Sequence, residues 1–120
     1  MRIIQKGILG LKGANYYVYH LSIINPFLPV EITPKEREVL GHFMSFKGEL
    51  AESNRFDTYF RKQVRAELKM SDGGLSNHIS SLKRKGAIKE ELTGAITIAP
   101  ILLPEESQQF YQFKITQENI

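Results

Sequence analysis

The side chains best suited to chemistry stand close together, in GGLSNHISSLKRKGAI at positions 73–88. Ser76, Asn77, Ser80 and Ser81 carry groups that both donate and accept hydrogen bonds, and Lys83, Arg84 and Lys85 follow as consecutive cations. Leu75, Ile79 and Leu82 recur among them at helical spacing. With Leu75 at zero and about 100 degrees of turn per residue, Ile79 and Leu82 fall within about 40 degrees of it. Asn77, Ser80, Ser81 and Arg84 fall on the opposite side, while Ser76 with Lys83, and His78 with Lys85, mark the two edges. Such a face suits hydrogen bonding and charge neutralisation against a polyanion. The three serines and the asparagine also lower helix propensity, and no acidic residue lies between Asp72 and Glu90 to form the Glu–Lys pairs of a merely solvated helix.

Charge is distributed to match. The 120 residues carry a net charge of +3, but residues 55–89 hold nine cations against Asp57, Glu67 and Asp72, whereas residues 90–120 hold Lys114 against five glutamates. A local excess of cations is the electrostatic footprint of a nucleic-acid surface, although a solvated face gives the same pattern.

Other chemistries find little support. Cysteine is absent, which excludes disulfides and thiolate metal sites and suits a reducing cytoplasm. His20, His42 and His78 lack ligand spacing, so no metal or other cofactor is expected. The glycines of GILGLKG lack the strand–loop–helix context that binds a dinucleotide, and no Gly-x-Ser-x-Gly elbow occurs. An enzyme is therefore not expected. No apolar run reaches the ~20 residues of a membrane span, and MRIIQKGILGLKG lacks the cleavage pattern of a signal peptide.

The elements that must position the 75–85 face can be read from capping and periodicity. Residues 2–11 are expected to form a strand, 12–15 a turn, and 16–24 a second strand, because Tyr17, Tyr19, Leu21 and Ile23 alternate; Tyr17, Leu21 and Ile24 also fit a helical stripe. NPFLPVEI reads as an extended connector. TPKE at 33–36 is a capping box, opening a helix to about Phe46 with Val39, Leu40, Phe43 and Met44 buried. A second helix starts at NRFD, with Asn54 as cap, and buries Phe56, Phe60, Val64 and Leu68 while Arg61, Lys62, Arg65 and Lys69 lie off that stripe. MSDGG breaks it before the 75–85 helix. AIKEELTGAITIAP then reads as a β-hairpin turning at Thr93–Gly94, and the segment from Pro104 is expected to be a short helix or an acidic tail.

Three helices followed by a hairpin, with ITPKEREVL opening the first and LSNHISSLKRKGAI closing the third, resemble a winged helix-turn-helix DNA-binding domain of MarR-type and related bacterial or phage regulators. The resemblance covers residues 33–100; EELTG departs from it, since the family's hairpin tips are often basic. It implies a mainly α, small β (α+β) fold for that stretch; outside it, residues 1–32 are expected to pack on the core or form a dimer or partner surface, and 101–120 to form an acidic tail or a short helix. It further implies that helix 75–85 enters the major groove of double-stranded DNA. Asn77 would read adenine, Arg84 guanine or phosphate, and Ser76, Ser80 and Ser81 would donate to phosphates or base edges. Arg61, Lys62, Arg65, Lys69, Lys83 and Lys85 would contact the backbone. The expected function is transcriptional regulation by a monomer or homodimer without membrane association. A plasmid or phage replication or packaging component, and a protein-interaction module that binds no DNA, remain open.

Overall fold

The computed structural model describes residues 11–105 and 109–118. They form a mainly helical α+β fold in chain order α1 (Ala14–Ile24), α2 (Pro34–Met44), α3 (Glu49–Ser53), α4 (Thr58–Leu68), α5 (Asp72–Arg84), β1 (Ile88–Glu90) and β2 (Ile96–Ile98). Short 3-10 turns at Asn25–Phe27 and Pro100–Leu102 follow α1 and β2. The strands pair antiparallel, with Ile88 opposite Ile98 and Glu90 opposite Ile96. Among the described residues no helix is long and apolar enough to cross a membrane.

The expected strand over 16–24 is a helix instead. Tyr17 and Ile24 of the helical stripe pack against the core, Leu21 is fully buried within it, and α1 lies along α2 as the most extensive helix contact of the fold. Alternation of tyrosines is therefore incidental: burial of one stripe against α2 outweighs the strand propensity of Tyr, Val and Ile. The close approach is possible because Gly41 of α2 faces Val18, where a β-carbon would lie 2.4 Å from Val18 Cγ2 and 2.9 Å from its backbone nitrogen. Only Leu11 of the strand expected at 2–11 falls within the described residues, and it has no regular structure. The connector is less extended than its prolines suggest: Asn25 is helical before Pro26, and its side chain closes the loop by accepting from the Ile32 N–H at 2.8 Å.

The capping box at the head of α2 forms as its spelling requires. Glu36 N–H donates to Thr33 Oγ1 at 3.2 Å and Thr33 N–H donates to Glu36 Oε1 at 2.7 Å, with Pro34 in the first turn. The helix ends at Met44 rather than Phe46, and the extra helix α3 follows, seating Ala51 in the core. At the next boundary Asp57, not Asn54, is the N-cap residue; Asn54 Oδ1 accepts from Phe56 N–H at 3.1 Å in the preceding turn. Lys69 ends α4 in the left-handed conformation, with φ 52°. Ser71 then caps α5, its Oγ accepting from Gly74 N–H at 3.0 Å, so Gly73 and Gly74 belong to the first turn of α5 rather than to a break before it. The core collects one stripe from each long helix: Val39, Leu40 and Phe43, then Phe60 and Val64, then Leu75, Ile79 and Leu82, closed by Ile88 and Ile96 of the hairpin. Phe43 stacks on Phe56 at 4.3 Å between ring centres.

No helix forms over 109–118, which runs without regular structure back to α1. His20, 5% exposed, donates from Nε2 to Leu102 O at 2.9 Å, which leaves Nδ1 to accept from Tyr111 Oη–H at 2.7 Å. Phe113 stacks on Phe27 at 4.3 Å. Burial lowers the His20 pKa from 6.5, opposed by its bond to the Leu102 carbonyl. The fold thus holds the imidazole neutral: its contribution is complete above 6.5, where the ring is uncharged in both states, and is lost as pH falls and the unfolded chain takes up the proton first. Tyr111→Phe is expected to lose about 1 kcal/mol, read as a lower melting temperature with faster amide exchange in α1.

Candidate nucleic-acid interface

The polar face of α5 is set by what its other sides are bound to. Leu75, Ile79 and Leu82 are buried, which fixes the inward stripe. Gly86, with φ 78°, ends the helix: Ala87 N–H reaches back to Leu82 O at 3.0 Å, and the chain turns into β1. A left-handed residue at that place favours glycine. The arc opposite the stripe remains open. Ser76, Asn77, Ser80, Lys83 and Arg84 are exposed, and Ser76, Asn77, Ser80 and Arg84 have no side-chain hydrogen bond or ion pair among the described residues. The returning segment 109–118 is anchored on His20 and Phe27 and leaves this face uncovered.

Ser81, read from helical angles as outward-facing, and Lys85, read as lying at an edge, are both turned to a carboxylate of α2. Ser81 donates to Glu36 Oε2, and Lys85 Nζ lies 2.6 Å from Glu36 Oε1. Glu36 itself is 2% exposed. Burial alone would raise the Glu36 pKa, yet the bonds from Lys85, Ser81 and Thr33 outweigh it and bring it from 4.5 down to about 2. Ser81 and Lys85 are thus committed to a buried carboxylate and belong to the anchoring edge of α5. Glu36 was legible only as the closing residue of a capping box, three positions after Thr33, where the carboxylate is normally at the surface. Its second task depends on residues 45 and 49 positions away.

The remaining cations divide. Lys62 and Lys69 are exposed and have no side-chain hydrogen bond or ion pair among the described residues; Lys62 lies about one turn before Arg65 in α4, and Lys69 about one turn after it at the helix's C-terminal cap. Arg65 lies with one terminal nitrogen 3.8 Å from Asp72 of α5, and its buried Nε has no partner among the described residues. That contact sets the basic row of α4 beside the first turn of α5. Arg61 instead spends its Nε on Phe56 O at 2.6 Å, capping the turn before α4. Lys83 lies 3.9 Å from Glu90 of β1, a solvent-exposed pair worth little in water. Of the eleven positions expected to meet DNA, Ser76, Asn77, Ser80, Arg84, Lys62 and Lys69 are open, Lys83 and Arg65 are loosely paired, and Arg61, Ser81 and Lys85 are held internally.

The hairpin beyond is acidic and apolar at its tip: Glu91 N–H donates to Ala95 O at 2.8 Å across the turn, and Leu92 projects fully into solvent. Among the described residues no three of His, Cys, Asp or Glu are grouped to hold a metal ion. No family model, no curated protein and no solved structure matches this chain.

Proposed function

We propose that the chain is a winged helix-turn-helix protein that binds double-stranded DNA through α5 and acts as a sequence-specific regulator. The observation that carries this reading is the open, unpaired arc of Ser76, Asn77, Ser80 and Arg84, rigidly backed by the buried Leu75–Ile79–Leu82 stripe. The arc is short-chained except at Arg84, so the helix backbone can approach base edges closely; Asn77 matches the paired donor and acceptor of adenine, and Arg84 the two acceptors of guanine. Lys62, Lys69 and Lys83 supply phosphate contacts, which set affinity and its salt dependence.

Selection of bound sequences from a random duplex pool tests this directly. A preferred site is expected, and on that site Asn77→Ala and Arg84→Ala each weaken binding about tenfold, roughly the loss of one base-edge contact. The reading is wrong if both variants bind the selected site and random duplex as the parent does. A palindromic site would indicate a homodimer, with two copies of α5 about 34 Å apart.

A second reading rests on the hairpin. Leu92, fully exposed and preceded by Glu90 and Glu91, suits contact with a cationic protein surface better than contact with phosphate. In that case the fold is a protein-interaction module, and Leu92→Ser abolishes partner capture while duplex binding is absent from the start.

A further inference from the structure

We propose that Glu36 is the positioning residue for the α5 face: it fixes the roll of the helix and withholds Lys85 from phosphate, so that it governs sequence discrimination more than affinity. The inference rests on the DNA-binding reading above.

The geometry is that of a two-point tether. Ser81 and Lys85 are one helical turn apart on the same edge of α5, and both bond the one carboxylate of Glu36, Ser81 through Oε2 and Lys85 through Oε1 at 2.6 Å. A single bond would let the helix rotate about it; two bonds a turn apart, opposed by the buried stripe of Leu75, Ile79 and Leu82, leave neither roll nor slide free. The carboxylate is itself immobile, since the Thr33 N–H donates to Oε1 at 2.7 Å from the start of α2. The tether therefore refers the orientation of α5 to the first turn of α2 rather than to a flexible side chain. With side chains the helix is about 10–12 Å across, so a roll of about 20 degrees displaces a group at its rim by about 2 Å. A displacement of that size breaks a hydrogen bond from Asn77 or Arg84 to a base edge, while long lysines follow the phosphates with little loss.

The same contact removes a charge from the interface. Lys85 follows Lys83 and Arg84 directly, yet it is turned to a buried anion and its side chain is 26% exposed. Affinity that ignores sequence grows with every free cation, so holding Lys85 back lowers random binding and leaves base contacts to decide.

Glu36→Gln keeps the shape and a hydrogen bond acceptor for Thr33 or Ser81 but gives up the charge that retains Lys85. On duplex DNA this variant is expected to show a log–log salt slope steeper by about 0.9, one added phosphate contact. Its preference for the selected site over random duplex is expected to fall about tenfold, comparable to one mismatched base pair. Lys85→Gln, which retains a donor to Glu36, is expected to leave the parent's slope unchanged, whereas Lys62→Gln lowers it by about 0.9. A purely structural role for Glu36 would lower the melting temperature and leave slope and preference as they were, which overturns the inference. A reduced slope in Lys85→Gln also overturns it, and that variant decides the matter if Glu36→Gln fails to fold. If the parent shows no salt-dependent duplex binding, the DNA reading itself fails and this inference with it; an unaltered Glu36→Gln slope in a parent that binds defeats only the tether.

Discussion

Gly41→Leu is expected to lower stability by about 3 kcal/mol or more, a drop of roughly 10 °C in melting temperature, and Gly41→Ala by about half as much. In isolation alanine would favour α2, because glycine inside a helix costs about 1 kcal/mol. Here the sign reverses. The added β-carbon meets Val18 Cγ2 at 2.4 Å and the Val18 backbone nitrogen at 2.9 Å, both closer than atoms can approach. A methyl group on valine can turn away, but a backbone nitrogen moves only if α1 moves, and α1 carries the fully buried Leu21 and the half-buried Tyr17. Separation of the two helices therefore opens the core along its most extensive contact. Val18→Ala in the Gly41→Ala background removes the first clash and retains the second, so it is expected to restore part of the loss and not all of it. Urea unfolding of the four proteins of that cycle measures the coupling directly. A Gly41→Ala protein as stable as the parent would mean that α1 rides freely on α2.

The same glycine explains why the N-terminal helix could not be read from residues 16–24. Tyr17, Tyr19, Leu21 and Ile23 do alternate, and their intrinsic preferences favour a strand. What decides the conformation is a groove on α2 deep enough to take a helix at Gly41, a residue outside the segment and in the next long helix. Local signals were reliable where local physics decides. The Thr33–Glu36 box opens α2, Gly94 with φ 88° turns the hairpin, and the Leu75–Ile79–Leu82 spacing marks the buried side of α5. Helical angles alone place Ser81 opposite the stripe and Lys85 at its edge, and say nothing of what approaches either. Their failure at Ser81 and Lys85 has one physical cause, a carboxylate from α2 approaching that edge, and nothing in residues 73–88 announces it. The open arc of Ser76, Asn77, Ser80 and Arg84 was legible for the opposite reason: these side chains are exposed and take no partner among the described residues.

Glu36→Ala is expected to cost about 3 kcal/mol at neutral pH, by two routes that agree. Removing one partner of a buried ion pair typically costs about 3–5 kcal/mol, and Lys85, with a side chain 26% exposed, can swing partly into water, which favours the lower end. The same contacts viewed through ionisation give a similar figure: a carboxyl whose pKa falls from 4.5 to about 2 on folding contributes about 3 kcal/mol, at about 1.4 kcal/mol for each pH unit. The sign follows from the depressed folded value. Above 4.5 the carboxylate is charged in both folded and unfolded chains, and the contribution is complete. As pH falls below 4.5 the unfolded chain takes up the proton first, and the contribution drains away until about 2, where the folded carboxyl is protonated as well. The parent should thus lose stability between about 4.5 and 2, while Glu36→Ala, already without that contribution, shows a flatter profile over the same interval. Urea midpoints at neutral pH and across that acid range provide the comparison. Parallel curves, or a variant that unfolds with the parent at neutral pH, would mean that the Thr33 cap and the apolar stripe hold α5 on α2 without the carboxylate, and that the bonds to Ser81 and Lys85 add nothing to the fold.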